Sequence, residues 1–273
     1  MSVEILRGAT RFTSRGEGRL TRHAYSFGEH YHPDRTGFGP LVCHDDHVLR
    51  AGTGFDTHRH ADLEILTWVV SGALAHRDSL GTDTVLHAGD SALLSAGSGV
   101  EHSEHAVGGA GPTRFVQVWL QPDEHQSAPS YARGAEVPAD ADGLVDTGLR
   151  PAVAGTRLLV ARPRAGQTLT LPAAPRLHCF VARGALLRSS LAEPLEAGDA
   201  FCFTDEPDHD ITAAVDSELL VQLLPLPVAP TLHARTHVRG GARPVAGPEQ
   251  RVRGDAVGRG APGGAWLGLA GRS

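Results

Sequence analysis

The sequence contains no lysine, no asparagine and only three isoleucines, so all 25 of its basic side chains are arginine. Alanine, glycine, arginine and proline are abundant in their place, a pattern of GC-rich coding, and the missing lysine therefore carries no mechanistic message. Cysteine is also scarce. Cys43, Cys179 and Cys202 are odd in number and lack CxxC spacing, which argues against a disulfide framework and for reduced, buried thiols. There is no excess of positive charge: the formal net charge is -6, and no basic stripe offers direct contact to nucleic acid or to an anionic membrane. No apolar run approaches the length of a membrane span, and the N-terminus MSVEILRGATRF lacks the apolar core of a signal peptide. A cytoplasmic protein is expected.

What is present fits an all-β chain. The 273 residues suffice for one large domain or two medium ones, each with its own core. Short β-rich runs cover Glu64–Val70, Ala73–His76, Thr84–Leu86, Ala92–Leu94 and Arg114–Leu120. Turn residues part them at Ser71-Gly72, Leu80-Gly81-Thr82-Asp83 and Ala88-Gly89-Asp90. A second set covers Arg157–Ala161, Thr168–Leu171, Leu177–Val181, Ala185–Ser189, Ala200–Phe203 and Glu218–Leu224. Many short strands at this spacing predict sandwiches or barrels. The stretch from Arg7 to Val48 is poor in apolar residues and reads as edge strands and loops over a barrel.

The two sets echo one another. Val70-Ser71-Gly72-Ala73-Leu74 and Ala88-Gly89-Asp90 resemble Ala182-Arg183-Gly184-Ala185-Leu186 and Ala197-Gly198-Asp199. Two copies of one barrel follow, with boundaries expected at 1–125 for the first, 126–154 for a Pro/Gly-rich linker and 155–228 for the second. Composition predicts a largely disordered tail over 229–273. Its G-x-G-x-x-G at Gly258, Gly260 and Gly263 follows no strand and encloses Pro262, so a dinucleotide site is not expected there.

Two polar pairs carry the chemistry, His58-x-His60 and His102-x-Glu104. A strand turns alternate side chains to one face, so each pair projects together, and two paired strands can bring three imidazoles and one carboxylate to a point. Nitrogen and oxygen ligands of this kind suit iron, manganese, nickel, copper or zinc. A lone histidine among 16 is ordinarily a surface or core residue, but two same-face pairs on strand-like runs are hard to assign to structure alone. Glu64, four residues past His60, is a second carboxylate in reach of the pattern. Phe38, Phe55 and Trp68 are candidates for an aromatic pocket, with core packing the commoner role of such residues. His105 reads as a surface residue. His44 and His47 around Asp45-Asp46 read either as a supporting network or as a solvated turn. The run His76-Arg77-Asp78-Ser79 lacks the nucleophile elbow that a hydrolase would need.

Gly52-x5-His58-x-His60-x3-Glu64, with Gly89, Gly97 and His102, resembles the two cupin motifs. A longer match runs through Thr57–Thr67, His76–Gly81, Ser95–Glu104 and Gln117-Val118-Trp119-Leu120-Gln121-Pro122. These segments are similar to the pirin family, especially its bacterial quercetinase-like members. The resemblance covers about the first 125 residues. It implies a bicupin, two double-stranded β-helix (jelly-roll) barrels in tandem, with one metal in the first, held by His58, His60, His102 and Glu104. It favours Glu104 over Glu64 as the carboxylate ligand. Arg59 departs from the common pattern and is expected to face away from the metal. Aligning the copies sets Leu169–Leu171 where the first histidine pair stands, so the second barrel is expected to bind none.

The resemblance also implies an activity. It points to a quercetin 2,3-dioxygenase-like enzyme with one divalent metal, iron(II) first, and manganese, nickel, copper, cobalt or zinc as alternatives. Its partners would be a flavonol-like small molecule and O2, with Glu104 taking the substrate's proton and a monomer as the expected state. The alternative is a non-enzymatic, iron-binding pirin-like regulator acting through a protein partner. Both use the same ligands.

Overall fold

The alternating runs resolve into strands throughout the computed structural model, which describes residues 1–109 and 111–226. The expectations for 229–273, the glycine motif included, lie outside the described residues. The first strands are β1 (Ser2–Leu6), β2 (Phe12–Gly16), β3 (Arg19–His23), β4 (Leu41–Leu49), β5 (Gly54–His60) and β6 (Glu64–Ser71). They continue as β7 (Ala73–Asp78), β8 (Asp83–His87), β9 (Ser91–Ser95), β10 (Val100–Ala106) and β11 (Thr113–Leu120). Then come β12 (Ser130–Arg133), β13 (Val145–Asp146), β14 (Arg157–Ala161), β15 (Thr168–Leu171) and β16 (Ala174–Arg183). The last are β17 (Ala185–Leu186), β18 (Leu195–Glu196), β19 (Ala200–Glu206), β20 (His209–Thr212) and β21 (Glu218–Leu224). Among the described residues the one helical element is a 3-10 turn, Gly8–Thr10.

The first barrel closes a seven-stranded sheet, β12-β9-β6-β11-β4-β3-β2, against a four-stranded one, β5-β10-β7-β8. The second sets the six-stranded sheet β1-β19-β16-β21-β14-β13 against the pairs β15-β20 and β17-β18. The fold is the all-β bicupin. The sheets do not respect the boundaries drawn from composition, however. β1 pairs along β19 in the second barrel, with Ser2 opposite Thr204 and Leu6 opposite Ala200. Within 126–154, β12 extends the first barrel beside β9 and β13 extends the second beside β14. Backbone pairing, which composition does not report, decides these edges.

The repeat seen in sequence recurs in hydrogen bonding. Ala88 N–H donates to Gly72 O and Gly89 N–H to Val69 O, as Ala197 N–H donates to Gly184 O and Gly198 N–H to Val181 O. Gly72 and Gly184 both have φ near +80°, at 77° and 80°, and a Cβ on either would lie within 2.9 Å of its neighbours, so both turns need glycine.

The two large sheets pack face to face. Leu66, Trp68 and Val70 of β6 and Val116, Val118 and Leu120 of β11 meet Leu158, Val160, Phe180, Ala182 and Leu220 of the second barrel in one core cluster. Their odd-numbered neighbours Ile65, Phe115, Gln117 and Trp119 turn the other way. Strands covered on both faces read as predominantly apolar runs, which is why these were plain in the sequence. The expectation of loops and edge strands up to Val48 is corrected by β4. That strand is almost wholly buried and lies between β11 and β3. Its polar residues disguised it: Asp46 takes two hydrogen bonds from Arg114 (2.8 and 2.9 Å), and Asp45 pairs with His23 at 2.8 Å.

His44 of β4 faces His178 of β16 across the barrel interface, ring centroids 4.6 Å apart, with Arg11 Nη1 at 3.3 Å from His44 Nδ1. Burial pushes His178 down to about 4 and His44 well below its ordinary value, with the Arg11 charge acting in the same direction. The unfolded chain binds these protons below about pH 6.5 and the folded one does not, so stability is complete above that pH and falls as pH drops toward 4. His178→Gln is expected to flatten that acid slope in chemical unfolding measured from pH 7 to 4, by roughly 3 kcal/mol at the acid end. A slope as steep as in the parent chain would place the acid sensitivity elsewhere.

Candidate metal centre

β5 and β10 are antiparallel neighbours, with His102 directly opposite His58 and Val100 opposite His60. A β-bulge between His102 and Glu104 breaks this register, so that Glu104 stands opposite Phe55. The extra residue re-aims the strand where the polar pairs meet. The three imidazoles face one another at ring-centroid distances of 4.8 Å (His58–His60), 4.5 Å (His58–His102) and 5.0 Å (His60–His102). One nitrogen from each lies within 4.8 Å of the others, a spacing that fits a shared cation.

Glu104 stands in an adjoining group. Its carboxylate gathers with His102 and with His76 of β7, again with ligand atoms within 4.8 Å, so His102 is common to both sets. The sequence-derived four thus appear as three histidines plus a carboxylate one step deeper. His76 lies outside the two polar pairs that the sequence singles out. Its Nε2 lies 3.0 Å from an Asp78 oxygen and its Nδ1 4.0 Å from Glu104 Oε1, the distance of an electrostatic contact rather than a hydrogen bond. Gln117 of β11 donates to Glu104 Oε2 at 2.8 Å, and Tyr131 stacks on His76 with centroids 4.5 Å apart. His76 with Asp78, and Gln117 with Trp119, repeat the i, i+2 spacing that revealed the ligand pairs, and that spacing is the signal through which they could have been found.

The donor chemistry suits a metal. His60 Nε2 and both ring nitrogens of His102 are buried without a hydrogen-bond partner, an arrangement that is costly unless something else satisfies them. Burial, reinforced by neighbouring imidazoles, holds His60 and His102 down to about 4, so both are neutral at pH 7 with lone pairs free for coordination. Burial alone would raise Glu104, but the neighbouring His76 and His102 imidazoles and the Gln117 amide hold it down to about 2, as a carboxylate. Neutral imidazoles and an ionised carboxylate are the forms in which these groups bind metal ions.

Other candidates fall elsewhere. Glu64 lies on the face of β6 that carries Leu66 and Trp68; its carboxylate accepts from Ser95 Oγ at 2.7 Å and Ala152 N–H at 3.1 Å. Counting alternate residues on from His60 fails because Asp62, at φ 52°, turns the chain between β5 and β6. Trp68 and Phe38 pack in the inter-barrel core. Phe55 alone adjoins the centre, 6.4 Å from His58 between ring centroids. Arg59 is exposed and donates to Ser98 O, as its outward position required. His105 is partly exposed beside Asp56. In the second barrel Leu169, Leu171 and Ile211 fill the equivalent position as part of an apolar core, and the described residues there contain no group of metal-spaced ligands. Cys43, Cys179 and Cys202 are free and buried.

A tandem pair of cupin barrels with a histidine-rich, metal-capable centre in the first is the class that fold and site define. Residues 7–120 match the Pirin family model. A relative from Mycobacterium tuberculosis, provisionally named a quercetin 2,3-dioxygenase, is 39% identical over 230 residues, 81% of this chain and 94% of its own. A pirin-like protein of Caulobacter vibrioides is 31% identical over 73% of this chain and 90% of its own. The crystal structure of YhhW, a bacterial pirin from Escherichia coli, solved in complex with nickel(II), superposes with a TM-score of 0.75 at 28% identity, over 83% of this chain and all of YhhW. The chain belongs to the pirin family. Among the described residues no helix is long and apolar enough to cross a membrane.

Proposed function

We propose that this pirin is a metal-dependent dioxygenase that opens the heterocycle of a flavonol such as quercetin. One divalent transition metal, iron(II) first, would be held by His58, His60, His102 and Glu104. The observation that carries the reading is the meeting of His60 and His102, buried, neutral and without partners, beside His58. The relatives named for quercetin 2,3-dioxygenase supply the substrate class.

A bound metal supplies Lewis acidity toward an enolic hydroxyl and, in a redox-active form such as iron(II), reactivity with dioxygen; zinc would offer only the former. The protein's own part begins with access. His60, His102 and Glu104 are buried while His58 and Phe55 are half-buried, so a planar substrate approaches past the β5 side. Glu104, held as a carboxylate, takes the proton of the flavonol 3-hydroxyl. Both atoms of O2 enter the ring-opened product and one ring carbon leaves as carbon monoxide.

The test is aerobic incubation of the iron-loaded chain with quercetin, following loss of flavonol absorbance and release of carbon monoxide. Absence of turnover with iron, manganese, nickel, copper and cobalt forms alike would sink the enzymatic reading and favour a regulator. Glu104→Gln, compared at saturating metal, is expected to lower turnover by roughly 10²–10⁴-fold, the range for a positioned proton acceptor. Parent-like turnover in that variant would remove Glu104 from the proton-transfer role.

A further inference from the structure

Trp119 Nε1 donates to Gln117 Oε1 at 3.0 Å, and Gln117 Nε2 donates to Glu104 Oε2 at 2.8 Å. All three project into the first barrel, and Gln117 and Glu104 are buried at 5% and 4% exposure. An indole N–H can only donate, so it admits only the carbonyl end of the amide. Turning Gln117 over would set its N–H against the indole N–H and its oxygen against the carboxylate, converting both hydrogen bonds into repulsions. The other Nε2 hydrogen has Thr67 Oγ1 at 3.5 Å, which favours the same orientation. Trp119 also packs edge-on against His60, with ring centroids 4.9 Å apart.

We infer that Gln117, keyed by Trp119, is a positioning residue that engages Glu104 Oε2 and leaves Oε1 as the single oxygen offered to a metal. The inference rests on the reading of Glu104 as a ligand. A carboxylate held by one oxygen occupies one coordination position; a free one can use both and close a position that substrate or dioxygen needs. The device is directional: the donor-only indole sets the amide, the amide sets the carboxylate. His76 Nδ1 stands 4.0 Å from Oε1, beyond hydrogen-bond distance, so among the described residues that oxygen has no protein donor competing for it.

Cobalt(II) added to the full chain tests this, through affinity against a competing chelator and through the visible spectrum of the bound ion, which reports coordination number. Gln117→Leu is expected to weaken cobalt binding about 10–100-fold, the usual cost of losing an outer partner of a ligand, and to change the spectrum. Trp119→Phe keeps an aromatic ring against His60 and removes the N–H together with part of the bicycle. It is expected to shift the spectrum in the same direction, and the double variant to be no worse than Gln117→Leu alone, because both changes act through one amide. Additive losses would overturn the relay. So would a Gln117→Leu chain with the parent's affinity and spectrum while Glu104→Gln binds weakly. Parent-like cobalt binding by Glu104→Gln would instead defeat the ligand reading itself, and the inference with it. If Gln117→Leu does not fold, the Trp119→Phe spectrum decides: an unchanged spectrum rejects the relay.

Discussion

His102→Ala is expected to cost this pirin its metal, with affinity falling by more than the ~10–100-fold typical of an outer partner. His102 is the one side chain common to both groups of metal-spaced ligands, and neither of its nitrogens has a partner in the protein. Removing it leaves His58 and His60 on one side and His76 and Glu104 on the other, neither pair sufficient for a tight site. Metal content after dialysis and chelator competition with cobalt(II) both read the loss. His105→Ala, three residues on at a partly exposed position beside Asp56, is the control and should bind metal as the parent does. Equal metal content in the two variants would mean that the centre lies elsewhere. The apoprotein of His102→Ala should be no less stable than the parent, since the change relieves a buried, unpartnered imidazole.

Trp68→Ala is expected to destabilise the fold by about 3–5 kcal/mol, the range for truncating a large buried aromatic. The indole is 1% exposed in the core between the barrels and donates from Nε1 to Glu218 Oε1 of the second barrel at 3.0 Å. Glu218 in turn pairs with Arg162 at 3.1 Å, and that guanidinium lies over the indole ring, 5.6 Å from its centroid. Truncation opens a cavity and strips a hydrogen bond from a buried carboxylate at once. A fall in melting temperature of roughly 6–20 °C would follow for a chain of this size. Trp68→Phe keeps an aromatic ring in the core while removing the hydrogen bond, so its loss of stability is expected to fall below that of the alanine variant. A fall of only a degree or two for the alanine variant would show that the barrels do not depend on this contact.

Legibility in the sequence followed burial. Strands such as β6, β11 and β21, mostly apolar on both faces, are recovered almost to the residue, because a single uncharged polar residue, Thr67, Gln117 or Gln222, does not break the run. β4 was hidden by His44, Asp45, Asp46 and His47; its buried carboxylates are offset by His23 of the preceding β3 and by Arg114 of β11, a strand distant in sequence. No local pattern announces a partner more than sixty residues away. The histidine pairs were legible for the opposite reason, since both members of each lie on one strand and the period of two is local. Glu104's true surroundings were not, because His76 and Gln117 come from β7 and β11, and the β-bulge on β5 shifts which residue stands opposite Glu104. Glu64 was misplaced by the same count carried across a turn.

The placement of β1 bears on how the chain is made. Leu6 precedes the backbone it joins, Ala200 of β19, by nearly the whole span of the described residues, so β1 is made long before its partner. Until β19 is made, β1 has no edge to join, and β19, once made, needs β1 as its outer neighbour. Deleting Ser2–Leu6 would therefore injure the second barrel rather than the first, and bare a strand edge open to self-association.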